Sequence, residues 1–295
     1  MSHIITLIAN PATRALDPTL AEAAAHAVGA RSMTWLGERL AADLAVEGAD
    51  GHAAALADVI GDAPIDHVVQ KDEGSDARRK AILLADMDST MIRQECIDEL
   101  AAEAGIKDKV AAITARAMNG EIEFEGALRE RVALLEGLPL DVIDKVIAER
   151  IELMPGGREL VRTMAANGAH CALVSGGFTD FTARIADLIG FHEHRANRLV
   201  HEDGKLTGEV AAPILGKQAK ADALIKIAGR LGVGTDRAIA VGDGANDLAM
   251  LDMAGTGIAL HAKPAVAERA GMRIDHGDLT ALLFIQGYRE DEIVR

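Results

Sequence analysis

The stretch that decides the fold is Ala81-Ile82-Leu83-Leu84-Ala85-Asp86-Met87-Asp88-Ser89-Thr90. Its first half is an apolar run with no alternation, as expected of a strand buried on both faces of a parallel sheet. Its second half is acids and hydroxyls, set where the chain leaves that strand. Similar runs recur at 171–174, 238–241 and 257–260, and helical stretches lie between them at 157–167, 178–189, 217–231 and 247–254. Alternating strands and helices predict an α/β fold with a doubly wound parallel sheet. Two segments interrupt it. Residues 91 to about 154 are almost wholly helical and predict an inserted helical cap. Residues 197–210, with Asp203-Gly204 at their centre, predict a hairpin.

Upstream the character differs. Residues 4–9 read as a strand. Asp17-Pro18 opens a helix to about Val28, with Asp17 as N-cap and Pro18 at the first helical position. Residues 32–35 and 40–47 read as extended, 52–60 as helical and 65–70 as a strand. The order β-α-β-β-α-β predicts a small α/β unit over residues 1–75, ahead of the larger domain over 76–295. The polar segment 71–76 is the expected linker.

The totals bound the function. The chain has 295 residues, 49% hydrophobic and 26% charged, with aromatics at only 2%. Its core must therefore be built from Ala, Val, Ile and Leu. A net charge of −15 argues against nucleic acid, since no basic stripe is present to neutralise a phosphate backbone. It argues equally against an anionic membrane surface. No apolar run approaches a membrane helix, and no signal peptide is legible. Cys96 and Cys171, without CxxC or a neighbouring His cluster, read as buried thiols in a reducing cytoplasm.

Open parallel sheets bind ligands beyond the carboxyl ends of their strands. The first apolar run is followed by Asp86-Met87-Asp88, the second by Ser175-Gly176-Gly177, and the third by Gly242-Asp243-Gly244-Ala245-Asn246-Asp247. Three strand ends thus supply four carboxylates, a hydroxyl and several glycine amides. Asp86 and Asp88, two apart, share a face while the strand persists. Crowded carboxylates repel unless a cation lies among them, and Mg²⁺ suits an all-oxygen set that also admits substrate phosphate oxygens. Asp86 and Asp243, from separate strands, can clamp such an ion. Ser175-Gly176-Gly177 offers a hydroxyl and unhindered amides just before a helix, a geometry that favours an anion. Lys220 is spaced to point from its helix toward the same sheet edge. Taken singly, each acid is an ordinary turn residue and the lysine an ordinary solvated one; their order along the chain gives them weight.

DMDST, SGG, a helical Lys and GDGAND together resemble the haloacid-dehalogenase superfamily across residues 81–295, and within it the phosphoserine phosphatases. The resemblance implies that Asp86 attacks phosphorus and Asp88 serves as general acid and base. It implies Mg²⁺ held by Asp86, Asp243 and the Asp88 carbonyl, with Ser175, Gly176 and Lys220 on the phosphoryl oxygens. Asn246 would contact substrate and Asp247 would orient Lys220 or a metal-bound water. In the cap, Glu95, Met118, Phe124 and Arg131 are similar to the substrate-reading residues of that family. The implied substrate is O-phospho-L-serine and the implied role the last step of serine biosynthesis. Residues 1–75 are similar in element order to ACT-like domains. A homodimer stays open. The rivals are a related phosphatase or phosphotransferase for another small metabolite, and a non-catalytic binding protein built on a dead core.

Overall fold

The computed structural model describes residues 1–48, 50–118 and 121–295. Its first unit runs β1 (Ser2–Ala9), α1 (Pro18–Ala27), β2 (Ser32–Gly37), β3 (Ala41–Glu47), α2 (His52–Ile60) and β4 (Ile65–Lys71). The expected cap holds: the Asp17 carboxylate accepts from the Leu20 amide at 2.9 Å, with Pro18 at the start of α1. The strands form an antiparallel sheet in the order β2-β3-β1-β4, the split β-α-β arrangement. One face buries Ile5, Leu7, Leu44 and Val46 against α1 and α2. The other face is covered too, by the rest of the chain.

A single helical turn, α3 (Ser75–Arg78), occupies part of the expected linker and leads into β5 (Ile82–Ala85). Next come α4 (Cys96–Glu103), α5 (Lys107–Met118), α6 (Phe124–Ala133) and α7 (Asp141–Arg150), the helices of the insertion. Its neck is closed by main-chain pairing: Ile92 bridges Leu153, and the Met154 amide donates to the Met91 carbonyl at 2.9 Å. After it follow α8 (Gly157–Ala166), β6 (His170–Phe178), α9 (Thr179–Ile189), β7 (Glu193–Asn197), β8 (Leu199–Glu202) and β9 (Lys205–Val210). The chain ends with α10 (Gln218–Leu231), β10 (Ala238–Gly242), α11 (Leu248–Met253), β11 (Thr256–Leu260), α12 (Pro264–Ala267), β12 (Arg273–Ile274) and α13 (Ala281–Ile285).

Six parallel strands form the main sheet in the order β12-β11-β10-β5-β6-β7. Ile82, Leu84, Ala172 and Val174 face α10 and α11, while Leu83, Cys171, Leu173 and Val241 face the other layer. This two-sided burial is why the runs lack alternation. The chain leaves β5 toward β6 and β7, then returns to β10 on the other side, so β5 is the topological switch point.

Three local expectations change. Residues 193–197 are a strand of the main sheet, so the hairpin begins at Leu199 rather than Asn197. Segment 175–177 lies inside β6 as an irregularity of its pairing with β7, not as a turn beyond the strand. β7 and β12 are polar edge strands, with charged residues that hide them from an apolar-run search. The hairpin also touches the insertion: the Leu206 and Leu138 main chains pair at 2.8 Å, and the Leu140 amide reaches the Gly204 carbonyl at 3.0 Å.

The N-terminal sheet docks on the main domain through polar groups. Asp66, buried, accepts from the amides of Asp275, His276 and Gly277. Arg78 makes a bidentate pair with Asp43 at 2.5 and 2.8 Å and donates to the Ile285 carbonyl at the end of α13. Removing one partner of such a pair strands the other as a buried charge. Arg78→Ala is therefore expected to lower unfolding stability by about 3 kcal/mol in urea titrations; a change under about 0.5 kcal/mol would mean the pair does not secure the docking.

Candidate active site

The sequence gathers its chemistry at the carboxyl ends of β5, β6 and β10. The Asp86 amide continues the ladder by donating to the Val241 carbonyl at 3.0 Å. Beyond it the chain turns sharply, with the Thr90, Met91 and Ile92 amides all directed at the Met87 carbonyl. From this tight loop Asp86 and Asp88 both reach the same cleft, each toward different partners. Asp86 is buried and its Oδ1 accepts from the Met87 amide at 2.8 Å. Asp88 accepts from the Ser175 hydroxyl at 3.0 Å and from the Cys96 amide at 2.8 Å.

Lys220, on the buried face of α10, sits between two acids. Its Nζ is 2.7 Å from Asp86 and 2.5 Å from Asp247. Burial alone would lower its pKa, but the two carboxylates outweigh that and hold it above the ordinary lysine value. Burial pushes the Asp86 carboxyl up, with Lys220 pulling against the rise and Asp247 adding to it. Asp247, wholly buried, spends its other oxygen on the Gly244 amide at 2.9 Å. That close return explains Gly242: a Cβ there would lie 2.3 Å from the Asp247 carboxyl carbon.

Asp86, Asp243 and Asp247 bring one carboxylate oxygen each within 4.8 Å of the others, all three residues buried. A compact, all-oxygen acidic set of this kind fits a hard divalent cation. Burial raises Asp243, opposed by Lys263. The Asp88 side chain is turned away, toward Ser175.

A cleft of about 270 Å³ opens above these groups, and Asp86, Asp88, Glu95, Phe124, Arg131, Ser175, Gly176, Asp243 and Asn246 line it. Nine of the expected site residues are thus brought together, with Lys220 and Asp247 directly behind. The Met118 side chain lies outside the described residues. Glu95 and Arg131 arrive from the insertion. The Glu95 side chain is 44% exposed, yet desolvation of its carboxyl end, with Asp88 second, pushes it up to about 7, against the pull of Lys263 and the Ser89 hydroxyl. Burial lowers Arg131, opposed by Asp98, Glu95 and Asp88.

Two lysines in the cleft wall had no place in the sequence reading. Lys217 precedes α10, and Lys263 stands 3.3 Å from Asp243 and 3.9 Å from Glu95. The signal for Lys263 was available: it follows the fourth apolar run, 257–260, whose carboxyl end belongs to the same crevice.

A family model described as haloacid dehalogenase-like hydrolase matches residues 83–252. The chain belongs to that family. Among curated relatives, phosphoserine phosphatase SerB2 of Mycobacterium tuberculosis is 44% identical over 239 residues, covering 81% of this chain and 58% of the relative. The phosphoserine phosphatase of Methanocaldococcus jannaschii is 42% identical over 206 residues, 70% of this chain and 97% of the relative. Among solved structures, a HAD family hydrolase from Salmonella enterica serovar Typhi superposes with a TM-score of 0.84 at 30% identity, over 99% of both chains. The chain spans between half and two thirds of the first curated relatives it matches.

At Gly177 any added side chain would press on the site's own groups. A Cβ there would lie 2.9 Å from Asp88 Oδ2 and 3.1 Å from the Ser175 hydroxyl. Gly177→Ala is expected to cut turnover on the order of 10²-fold by displacing those groups, with little change in melting temperature. Unimpaired turnover would show that the Ser175–Asp88 contact does not set the reacting geometry.

Proposed function

We propose that the chain is a Mg²⁺-dependent phosphomonoesterase that hydrolyses O-phospho-L-serine to serine and phosphate through an aspartyl-phosphate on Asp86. The observation that carries this reading is the convergence of Asp86, Asp88 and Ser175 on one cleft, with Lys220 directly behind Asp86 and the carboxylates of Asp86, Asp243 and Asp247 grouped closely enough for a cation. The names of the curated relatives support the substrate.

Asp86 attacks phosphorus in line, which replaces one difficult displacement by two easier ones. Asp88 gives its proton to the departing seryl oxygen and later takes one from the hydrolytic water. Ser175, the Gly176 amide and Lys220 stabilise the equatorial oxygens, where the charge of a loose transition state accumulates. Asp86, Asp243 and the Asp88 carbonyl would hold Mg²⁺, with Asp247 near enough to join them. When bound, the ion offsets repulsion between an anionic nucleophile and an anionic phosphate. Asn246 contacts substrate from the rim.

Selectivity comes from the insertion. Glu95 takes the substrate ammonium and Arg131 its carboxylate, the latter by a two-pronged contact. Phe124 lies against Gly176, its ring 3.4 Å from where a Cβ would stand, and closes the cleft to water. The insertion is the part of the molecule that would open and close. A cleft of 270 Å³ suits a small metabolite rather than a phosphoprotein loop.

Three measurements test the reading. Phosphate release from phosphoserine is expected to require Mg²⁺ and to vanish in Asp86→Asn; activity surviving that change would exclude Asp86 as nucleophile. Arg131→Ala is expected to raise KM for phosphoserine far more than for a simple aryl phosphate, and equal effects would remove it from selectivity. Because Glu95 titrates near 7, it is neutral at pH 6 and ionised at pH 8. KM for phosphoserine should therefore fall across that range relative to the aryl phosphate, and a constant ratio would contradict ammonium recognition by Glu95.

A further inference from the structure

β6 pairs with β7 as Ala172–Glu193, Leu173–His194 and Val174–Arg195, and then as Phe178–Asn197. Four residues of β6 advance against two of β7. The surplus forms a bulge at Ser175-Gly176-Gly177, the segment assigned above to the phosphoryl group. A bulge leaves main-chain groups without ladder partners, so another group must hold its shape.

Asn197 is that group. It is 1% exposed and does not line the cleft. Its Nδ2 donates to the Gly176 carbonyl at 2.8 Å and its Oδ1 accepts from the Leu215 amide at 2.7 Å. The partners fix which end of the amide is which, since a flipped side chain would set oxygen against oxygen. Leu215 begins the segment that passes through Lys217 into α10 and Lys220.

The peptide between Gly176 and Gly177 is planar, so fixing its carbonyl also fixes its N–H. That N–H donates to the Ser175 hydroxyl at 2.8 Å, which leaves the hydroxyl proton for Asp88 at 3.0 Å. The path from Asn197 to Asp88 therefore runs through a rigid plane and two hydrogen bonds. A second path runs through Leu215 toward Lys217 and Lys220. One amide holds both walls of the phosphate site in register.

We propose that Asn197 is a positioning residue for phosphoryl transfer: it orients the Gly176–Gly177 peptide, and through it Ser175 and Asp88, against the segment that bears Lys217 and Lys220. This inference rests on the phosphatase reading. Asn side chains offer a donor and an acceptor from one branch point; Asp offers two acceptors, one of them facing the Gly176 carbonyl.

The test compares wild type, Asn197→Asp and Asn197→Ser, each as the full Mg²⁺-loaded chain. Turnover is measured on phosphoserine and an aryl phosphate, and inorganic phosphate binding by calorimetry on folded protein. The inference expects kcat to fall by the same factor on both substrates, on the order of 10²-fold. It expects phosphate to bind about tenfold more weakly, and the preference for phosphoserine to persist, because Glu95 and Arg131 are untouched. Loss of fold alone would leave phosphate affinity per folded molecule unchanged. Variants with kcat and phosphate affinity within about twofold of an active wild type overturn the inference alone. If Asn197→Asp does not fold, Asn197→Ser decides by the same readings. A wild type that releases no phosphate from either ester sinks the phosphatase reading, and the inference with it.

Discussion

A buried ammonium between two buried carboxylates is the interaction on which the rest of the site depends. Lys220 stands 2.7 Å from Asp86 and 2.5 Å from Asp247, with Asp243 close by. Three acids this close, away from water, would repel one another strongly. A buried charge is tolerated only when paired and hydrogen-bonded, and here each has such a partner. Lys220 joins the tips of β5 and β10 through α10, so Asp86 is anchored by the same contact that makes its buried carboxylate tolerable.

The architecture serves that contact. β5 is the switch point of the sheet, which opens a crevice where β6, β5 and β10 end. The insertion rises from a neck pinned by main-chain pairing at Ile92 and Leu153, and the β8–β9 hairpin pairs with its α6–α7 connection. The cap is thus tied to the core at two places. Opposite the helices of the N-terminal sheet, Asp66 cages the turn at 275–277 and Arg78 binds the end of α13. That turn leads into Leu279, whose amide donates to the Pro155 carbonyl just beyond the neck.

Much of this was legible in the sequence because it rests on local rules. Two-sided burial wrote itself as unbroken apolar runs, and the acids following them fell at the crevice. Asp17-Pro18 announced a helix start that the Leu20 contact bears out. What stayed hidden depends on tertiary pairing. β7 is a polar edge strand, so nothing in its periodicity marks it, and Asn197 read as a hairpin residue instead of a strand end. The bulge at 175–177 shows only against its partner strand. Lys263 lies beyond the fourth run, where His261-Ala262 follow the strand and no acid or glycine marks its end as a site. Among the described residues no helix is long and apolar enough to cross a bilayer.

On the proposed mechanism Asp86, held by Lys220, forms the covalent link to phosphorus. Borohydride reduces an acyl phosphate, so treating the enzyme with it during turnover of phosphoserine, followed by peptide mass mapping, reads the modified position directly. Homoserine is expected at position 86 and at no other aspartate. Steady phosphate release with an unmodified Asp86, or reduction at another acid, would contradict it.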